Sequence, residues 1–337
     1  MPFSTLIGNE RIKRLLQRAV AEDRIGQSLL MAGPCGVGKF HFAVALAKAL
    51  NCEQVIQGDA CGDCVTCRKI ERREYGDVRI LVRETKDPTI HKENKSRFIK
   101  IGYIRALSEQ AQFRPYEGRR RVFIIDEAEW MLEPAANSLL KTLEEPPPTS
   151  LVILVTSKPY SLIETIRSRC LMLNFAPLSA PEIEEHLKTK ENRPADEARL
   201  LARVARGSIG RALEINIDEY YAMRNTMLAI VETLALAPDV TKLLSASEYL
   251  GRKLEKEAFE EHLDTLTILL DDLFHLKLNG SGQSLTNVDV IDRLTRIADH
   301  TTIEQITQWA DRIEQIFVAL PRNVNRQLAM DSMLITA

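Results

Sequence analysis

Apolar and polar positions in the first half of the chain predict short buried strands separated by helices. Short continuous apolar runs are typical of strands buried on both faces of a sheet. Such runs occur at Gln27–Ala32, Asp77–Val82, Arg121–Asp126, Leu151–Thr156 and Leu171–Phe175. Because helical patterns lie between them, the alternation predicts an α/β fold with a parallel sheet covered on both faces.

Apolar residues three and four positions apart indicate the helices between these strands. The predicted helices are residues 9–22, Phe42–Leu50, Gly102–Phe113, Glu133–Leu143 and Tyr160–Arg167. The polar stretch Glu84–Arg97 has no periodicity, and we expect a surface loop there.

The pattern changes after Pro177, where only helical periodicity continues to the end of the chain. Ser179 and Glu182 have the spacing of a capping box, with Pro181 in the first turn, so a helix is expected to begin there. We therefore predict three domains: an α/β domain over residues 1–177, a small helical domain over 178–217 and an all-α domain over 218–337.

Composition and charge restrict the class of protein. A chain of 337 residues suits two or three domains of ordinary size. The formal net charge of −2 excludes whole-chain electrostatic affinity for nucleic acid, although a local basic patch stays open. The longest apolar run, Leu151–Val155, is too short for a bilayer, and the first residues lack the pattern of a secretory signal. We expect a cytoplasmic protein with no membrane partner.

Four of the six cysteines are clustered in a short segment. Cys52, Cys61, Cys64 and Cys67 combine one longer spacing with two short ones, which suits tetrahedral Zn²⁺. Four thiolates leave no open coordination position, so the zinc would be structural. The alternative, buried free thiols, fits poorly with the polar flanking residues. The segment of about residues 52–67 is therefore a predicted zinc-binding insertion.

A glycine-rich turn follows the first predicted strand and opens a helix. Gly33, Gly36 and Gly38 would bring backbone N–H groups close to phosphates, and Lys39 would reach the terminal phosphates. The next position should be Ser or Thr, whose hydroxyl binds Mg²⁺, but it is Phe40. Two interpretations stay open: a nucleotide site, or an inherited loop that no longer binds nucleotide productively.

Two carboxylates end the third predicted strand. In a phosphate-binding-loop protein, Asp126 would hold Mg²⁺ and Glu127 would polarise the attacking water. The alternative is a strand whose polar end meets solvent. One half of a metal site is thus present and the other is missing, so ATP with Mg²⁺ is expected to bind weakly or not at all in this chain.

Taken in order, several segments resemble bacterial replicative clamp-loader subunits of the AAA+ class. The resemblance rests on the glycine-rich loop, the cysteine insertion and four further segments, Ile124–Glu129, Ala136–Pro147, Thr165–Cys170 and Gly207–Leu213. It implies an AAA+ domain, a helical lid and a C-terminal helical collar in a five-subunit ring. It also implies that Thr156 and Arg211 are the two nucleotide-sensing positions. Arg169 would be the arginine finger presented to ATP on a neighbouring subunit.

Within that family, Phe40 favours the non-hydrolysing stator over the ATP-hydrolysing motor subunit. The short start and the end at the collar favour the same interpretation. The resemblance then implies no ATPase activity by the chain alone and a place in the DNA polymerase III holoenzyme. Its partners would be the gamma/tau motor subunits, the delta subunit, the sliding clamp and, through the complex, primer-template DNA.

Two alternatives remain open on the sequence. The first is a gamma/tau-like ATPase motor with an atypical loop, which retention of Lys39, Asp126 and Glu127 keeps possible. The second is a DNA-binding surface formed by Arg119–Arg121 with Lys92, Lys95 and Arg97, although runs of charge usually form a solvated face.

Overall fold

The computed structural model describes residues 1–82, 98–279, 285–322 and 324–335. By compactness the chain divides into two units. The first comprises residues 1–193 and 205–213, and the second comprises residues 194–204 and 214–337. The predicted loop Glu84–Arg97 lies outside the described residues, and the domain limits near 177 and 218 stay predictions.

A five-stranded sheet forms the centre of the first unit. The strands are Ser28–Ala32 (β1), Val78–Leu81 (β2), Arg121–Ile125 (β3), Ser150–Thr156 (β4) and Leu171–Asn174 (β5). All neighbouring strands are parallel, in the order β2-β3-β4-β1-β5. The predicted parallel sheet is confirmed, and β1 lies between β4 and β5.

Helices connect these strands and continue beyond them. Up to residue 214 they are Glu10–Ala21 (α1), Lys39–Asn51 (α2), Val65–Glu71 (α3), Ile101–Ala111 (α4), Glu133–Glu144 (α5), Glu164–Arg167 (α6), Ala180–Thr189 (α7), Ala195–Val204 (α8) and Ile209–Glu214 (α9). The capping box at the start of α7 is confirmed, because the Glu182 amide donates to the Ser179 hydroxyl and the Ser179 amide donates to the Glu182 carboxylate.

Both faces of the sheet are largely buried along β1, β3 and β4, as the strand pattern predicts, but the edge strand β5 has Leu171, Met172 and Asn174 exposed. Alternate residues of β3 point to opposite faces. Val122 and Ile124 belong to the core formed with α1 and α2, whereas Phe123 and Ile125 belong to the core formed with α4 and α5. The sheet is therefore a rigid support whose two ends carry the loops described below.

The predicted helix Tyr160–Arg167 is wrong as a single element. The structure has a 3₁₀ turn at Pro159–Ser161, extended backbone at the next two residues, and then the one-turn helix α6. Extended backbone directs Leu162 into the core, where it is 5% exposed. The free energy gained by burying Leu162 exceeds the free energy that a continuous helix would contribute here.

The described part of the second unit is helical, as the sequence predicts. After α8 its helices are Ile217–Leu236 (α10), Val240–Glu248 (α11), Lys256–Asn279 (α12), Ile291–His300 (α13), Ile303–Ala319 (α14) and Arg326–Ile335 (α15). They enclose one apolar core that includes Phe259, Leu266 and Trp309. No described helix in either unit is long and apolar enough to span a bilayer.

Candidate functional site

The glycine-rich turn lies at the carboxyl end of β1, directly against the start of α9. Gly36 has a φ of 72°, and a Cβ there would lie 2.0 Å from the Ser208 hydroxyl oxygen. The Gly210 amide donates a hydrogen bond to the Gly36 carbonyl at 3.0 Å. Only glycine accommodates both this backbone conformation and this close approach.

Lys39 is held by the carbonyl groups of its own loop. Its Nζ donates to the Gly33 oxygen at 2.8 Å and to the Pro34 oxygen at 2.5 Å, and the residue is 6% exposed. Burial lowers the pKa of this ammonium below its usual value. These two hydrogen bonds use two of the three N–H donors of the ammonium, so one donor is left for a phosphate.

Three carboxylates follow β3. Burial raises the pKa of Asp126, which accepts the Glu127 amide at 2.9 Å. Burial also acts to raise the pKa of Glu129, but hydrogen bonds outweigh it and the pKa is lowered. The Glu129 carboxylate accepts the hydroxyl of Ser157 at 2.7 Å and its amide at 3.2 Å.

A cavity of about 350 Å³ unites most of the predicted nucleotide site. Of the predicted residues, its lining includes Gly36, Gly38, Lys39, Asp126, Glu127 and Thr156. Thr156 is buried, and its hydroxyl accepts the Lys158 amide at 3.0 Å. Among the described residues that line the cavity, α9 contributes Ile209, Gly210 and Leu213, whereas Gly33 and Arg211 are not among them.

Phe40 also lines this cavity, at the position where the loop pattern calls for a hydroxyl. The Arg73 guanidinium lies over its ring, 5.7 Å from the centroid. An aromatic ring offers Mg²⁺ no oxygen ligand. The cavity therefore has the carboxylates of a metal site, but the glycine-rich loop does not supply the hydroxyl that would complete it.

Sequence reasoning assigned no role to Glu129, Ser157 or Arg73. Glu129 and Ser157 come from segments that follow adjacent strands, and only the pairing of β3 with β4 brings them together. Arg73 follows α3, more than 30 positions after the loop it approaches. The sequence contains no local signal for these neighbours.

The four clustered cysteines converge on one point. Their Sγ atoms all lie within 4.8 Å of one another, with the Cys52–Cys61 pair at 3.5 Å and the Cys52–Cys64 pair at 4.0 Å. Tetrahedral zinc with Zn–S bonds of about 2.3 Å separates its sulfur ligands by about 3.8 Å. The predicted grouping is confirmed, and the four thiols could hold a metal ion.

Backbone amides surround these sulfur atoms. The Cys61 amide donates to Cys52 Sγ at 3.3 Å, the Cys64 amide to Cys61 Sγ at 3.3 Å, and the Cys67 amide to Cys64 Sγ at 3.4 Å. Hydrogen bonds from the Cys64 and Asp63 backbone lower the pKa of Cys61 to about 7. Such donors favour the thiolate form of Cys61, whereas burial raises the pKa of Cys52 and of Cys67.

Arg169 lies at the other end of the sheet. It precedes β5, whose first residue, Leu171, is paired with Leu29 of β1. Since β1 and β5 are parallel, the glycine-rich loop follows their carboxyl ends and Arg169 comes before their amino ends. Four residues of strand, about 13 Å long, lie between the two. Arg169 therefore lies at the opposite end of the sheet from the glycine-rich loop of its own chain.

Two of the three described arginines of the proposed basic patch form ion pairs within the chain. Arg120 pairs with Asp23 at 2.9 Å, and Arg121 pairs with the buried Asp77 at 3.2 Å. Lys92, Lys95 and Arg97 lie outside the described residues. Of the three consecutive arginines, Arg119 is exposed, whereas Arg120 and Arg121 are partly buried. This part of the surface gives the DNA-binding alternative little support.

The arrangement of loops on the sheet defines the class of protein. A glycine-rich loop follows β1, three carboxylates follow β3, a hydroxyl ends β4, and a helical segment covers the loop. With the strand order given above, this is the architecture of AAA+ proteins.

The particular family follows from the sequence. A family profile described as DNA polymerase III, delta subunit, matches residues 8–179, and the corresponding C-terminal profile matches residues 223–337. The chain belongs to the DNA polymerase III delta subunit family, which confirms the resemblance to bacterial replicative clamp-loader proteins.

Individual relatives differ in how much of their length the chain covers. DNA polymerase III subunit delta' of Bacillus subtilis is 28% identical over 96% of this chain and 94% of its own length. DNA polymerase III subunit tau of Escherichia coli is 33% identical over 76% of this chain but only 41% of its own length. A solved structure of a gamma subunit-related protein from Thermotoga maritima is 18% identical, covers 96% of this chain and 97% of its own, and has a TM-score of 0.44.

Proposed function

We propose that this chain is a non-hydrolysing subunit of the DNA polymerase III clamp loader that acts on ATP bound to a neighbouring subunit. In this proposal Arg169 supplies the arginine finger to a gamma/tau motor subunit. The assembled complex, with its delta subunit, then loads the sliding clamp onto primed DNA. The family membership supports the complex, and the position of Arg169 supports the action in trans.

One observation carries the proposal: the glycine-rich loop and Arg169 lie at opposite ends of the same sheet. The loop end has Phe40 at the position where the loop pattern calls for a metal ligand. An arginine in that place can reach phosphates only on another molecule. A guanidinium is permanently charged and can donate to two phosphate oxygens, so it stabilises the charge that develops during phosphoryl transfer.

The test uses the reconstituted complex with Arg169→Ala, Arg169→Lys and, as a control, Arg18→Ala. Arg18 forms an exposed pair with Glu22 on α1. Arginine fingers contribute about 10³–10⁵ in rate, so Arg169→Ala should lower ATP turnover at the adjacent site by about 10³-fold without preventing assembly. Lysine should restore little, because a point charge does not reproduce the guanidinium fork. Unchanged turnover and clamp loading by Arg169→Ala complexes would exclude the trans-acting role.

The remaining assignments follow from the same proposal. Cys52, Cys61, Cys64 and Cys67 hold a structural Zn²⁺ ion that stabilises the insertion. Thr156 and Arg211 occupy the two sensor positions of an inherited nucleotide site with weak affinity for ATP. Residues 178–217 form the lid, and residues 218–337 form the collar through which the subunits assemble.

One alternative has a specific observation in its favour. Lys39, Asp126, Glu127 and Thr156 line a single cavity, as they would in an ATP-hydrolysing motor subunit with an atypical loop. Steady-state ATP turnover by the isolated chain separates the two functions. The stator proposal expects none above background, whereas turnover that disappears in Lys39→Ala would establish the alternative.

A further inference from the structure

The Arg169 side chain is held by a carboxylate from another element of the same unit. Glu144, the last residue of α5, accepts hydrogen bonds from Nε at 2.8 Å and from Nη2 on the same carboxylate oxygen. The side chains of Arg169 and Glu144 are 32% and 48% exposed, respectively. This contact joins positions 25 residues apart and belongs neither to the cavity nor to the cysteine cluster.

The way α5 ends fixes the position of Glu144. The helix stops because Pro146, Pro147 and Pro148 cannot continue it. Buried Leu139 and Leu143 hold its last turns against the sheet. The carboxylate therefore projects from a packed helix end, not from a loop. The neighbouring Glu145 is also exposed, but its carboxylate makes no hydrogen bond to any residue in the described ranges.

The contacts of Arg169 use the edges of the guanidinium that face its own chain. Nε and Nη2 donate to Glu144, while Nη1 donates to the Thr165 carbonyl at 2.9 Å and reaches the Ser168 hydroxyl at 3.4 Å. A guanidinium has five N–H donors in a fixed plane. The three shorter contacts use three of these donors. The second N–H of Nη2 contacts no residue in the described ranges, and that of Nη1 has only the 3.4 Å contact with Ser168. These two donors form the fork that could bind a phosphate.

We propose that Glu144 is a positioning residue for Arg169: it fixes the guanidinium so that this fork points outward. The inference rests on the proposed function of Arg169 in trans. Without Glu144, the long arginine side chain samples many rotamers and presents the fork only part of the time. Misplacement of a group by about 1 Å can lower a rate by about 10²-fold. Because Glu144 acts through Arg169, it should affect the chemical step and not ATP binding.

The experiment measures ATP turnover in the reconstituted complex for Glu144→Ala, Glu144→Gln and Glu145→Ala. Glu144→Ala should lower kcat at the adjacent site by about 10–100-fold and leave KM for ATP unchanged. Glu144→Gln keeps an acceptor oxygen for Nε and should recover most of the rate. Glu145→Ala, the matched control, should equal the unmodified complex. Since each variant changes a single exposed side chain, thermal unfolding of the subunit should be the same for all of them.

The same substitution made in the Arg169→Ala variant distinguishes a positioning role of Glu144 from a structural one. When Arg169 is already alanine, Glu144→Ala should cause no further loss. An additional loss in that background, or a faster rate in Glu144→Ala alone, would overturn the inference. If Arg169→Ala lowers turnover but Glu144→Ala does not, the inference is wrong and the proposed function stands. If Arg169→Ala itself has no effect, the proposed function fails, and this inference fails with it.

Discussion

The two ends of the parallel sheet carry different kinds of chemistry. The carboxyl end has the glycine-rich loop, the carboxylates and a cavity, but Lys39 is bound to its own loop and Phe40 offers no metal ligand. At the amino end, Arg169 is held by the Glu144 carboxylate and the Thr165 carbonyl. The residues predicted to act on nucleotide are thus divided between the two ends of the sheet.

Structural support is also concentrated at the amino end. Asp77, which precedes β2, is fully buried and accepts the amides of Tyr116, Glu117 and Gly118 at 2.8 Å each. The cysteine insertion begins beside the same segment. Asn51, which directly precedes Cys52, accepts the Arg119 and Arg120 amides through its side chain at 3.0 Å. Partly buried hydrogen bonds between distant segments thus support the amino end of the sheet.

The largest effect expected at the amino end comes from metal removal. Cys64→Ser should lower zinc from one ion per chain to none, and it should lower the free energy of unfolding by at least about 3 kcal/mol, because structural zinc binding is folding free energy. Elemental analysis and thermal unfolding measure both. Cys35→Ser, which changes an exposed cysteine of the loop, should leave both unchanged. If the purified protein contains no zinc and is nevertheless fully stable, a metal ion does not stabilise the amino end of the sheet.

Asp77→Asn should have the next largest effect. Burial acts to raise the pKa of Asp77, but the three amides and Arg121 outweigh it, so the pKa is lowered. Loss of these charge-assisted hydrogen bonds should lower the free energy of unfolding by about 3 kcal/mol. Asp23→Asn, which disrupts an exposed pair with Arg120, should lower it by less than about 1 kcal/mol.

The pH dependence of the Asp77→Asn effect has a definite sign. A carboxyl whose pKa is lowered in the folded state stabilises the protein above its unfolded pKa, near 3.9. That contribution is lost as the pH falls through the folded value. The difference between the two proteins in urea unfolding should therefore be constant above about pH 5 and should shrink below about pH 4. A difference that does not change with pH would contradict the role of the charge.

At the carboxyl end, the contact between the loop and α9 should have a smaller effect. Gly36→Ala combines an unfavourable φ with a clash against Ser208, and it should lower the free energy of unfolding by about 2 kcal/mol. Gly38 has a φ of 93°, and no atom lies within 4 Å of a Cβ added there. Gly38→Ala should therefore lower the free energy of unfolding by the cost of the backbone conformation alone, about 1 kcal/mol. Equal losses in the two variants, measured by urea unfolding, would mean that the loop moves away from α9 freely.

The smallest effect is expected from Lys39. Lys39→Ala should change ATP turnover and clamp loading by the reconstituted complex by less than about twofold, because the proposed catalysis uses ATP bound elsewhere. The corresponding change in a motor subunit provides the positive control. A large loss from Lys39→Ala in this chain would mean that both ends of the sheet take part in catalysis.

Local sequence patterns determined the elements and the motifs. Apolar runs located all five strands within two residues, because a buried parallel strand needs a continuous apolar sequence. The cysteine spacing was sufficient to predict the convergence of four sulfur atoms, since short spacings leave the chain few alternatives. The identity of residue 40 alone showed that the loop lacks a metal ligand.

The tertiary structure alone decided which distant side chains meet. Glu144 and Arg169 are 25 positions apart, and Asp77 is 39 to 41 positions from the amides that it accepts. Their meeting depends on the order of the strands and on where each helix ends against the sheet, which no local periodicity encodes. The sequence therefore determined what each element is and which chemistry it carries. Packing on the sheet decided that Arg169 meets Glu144 and that Lys39 is bound to its own loop.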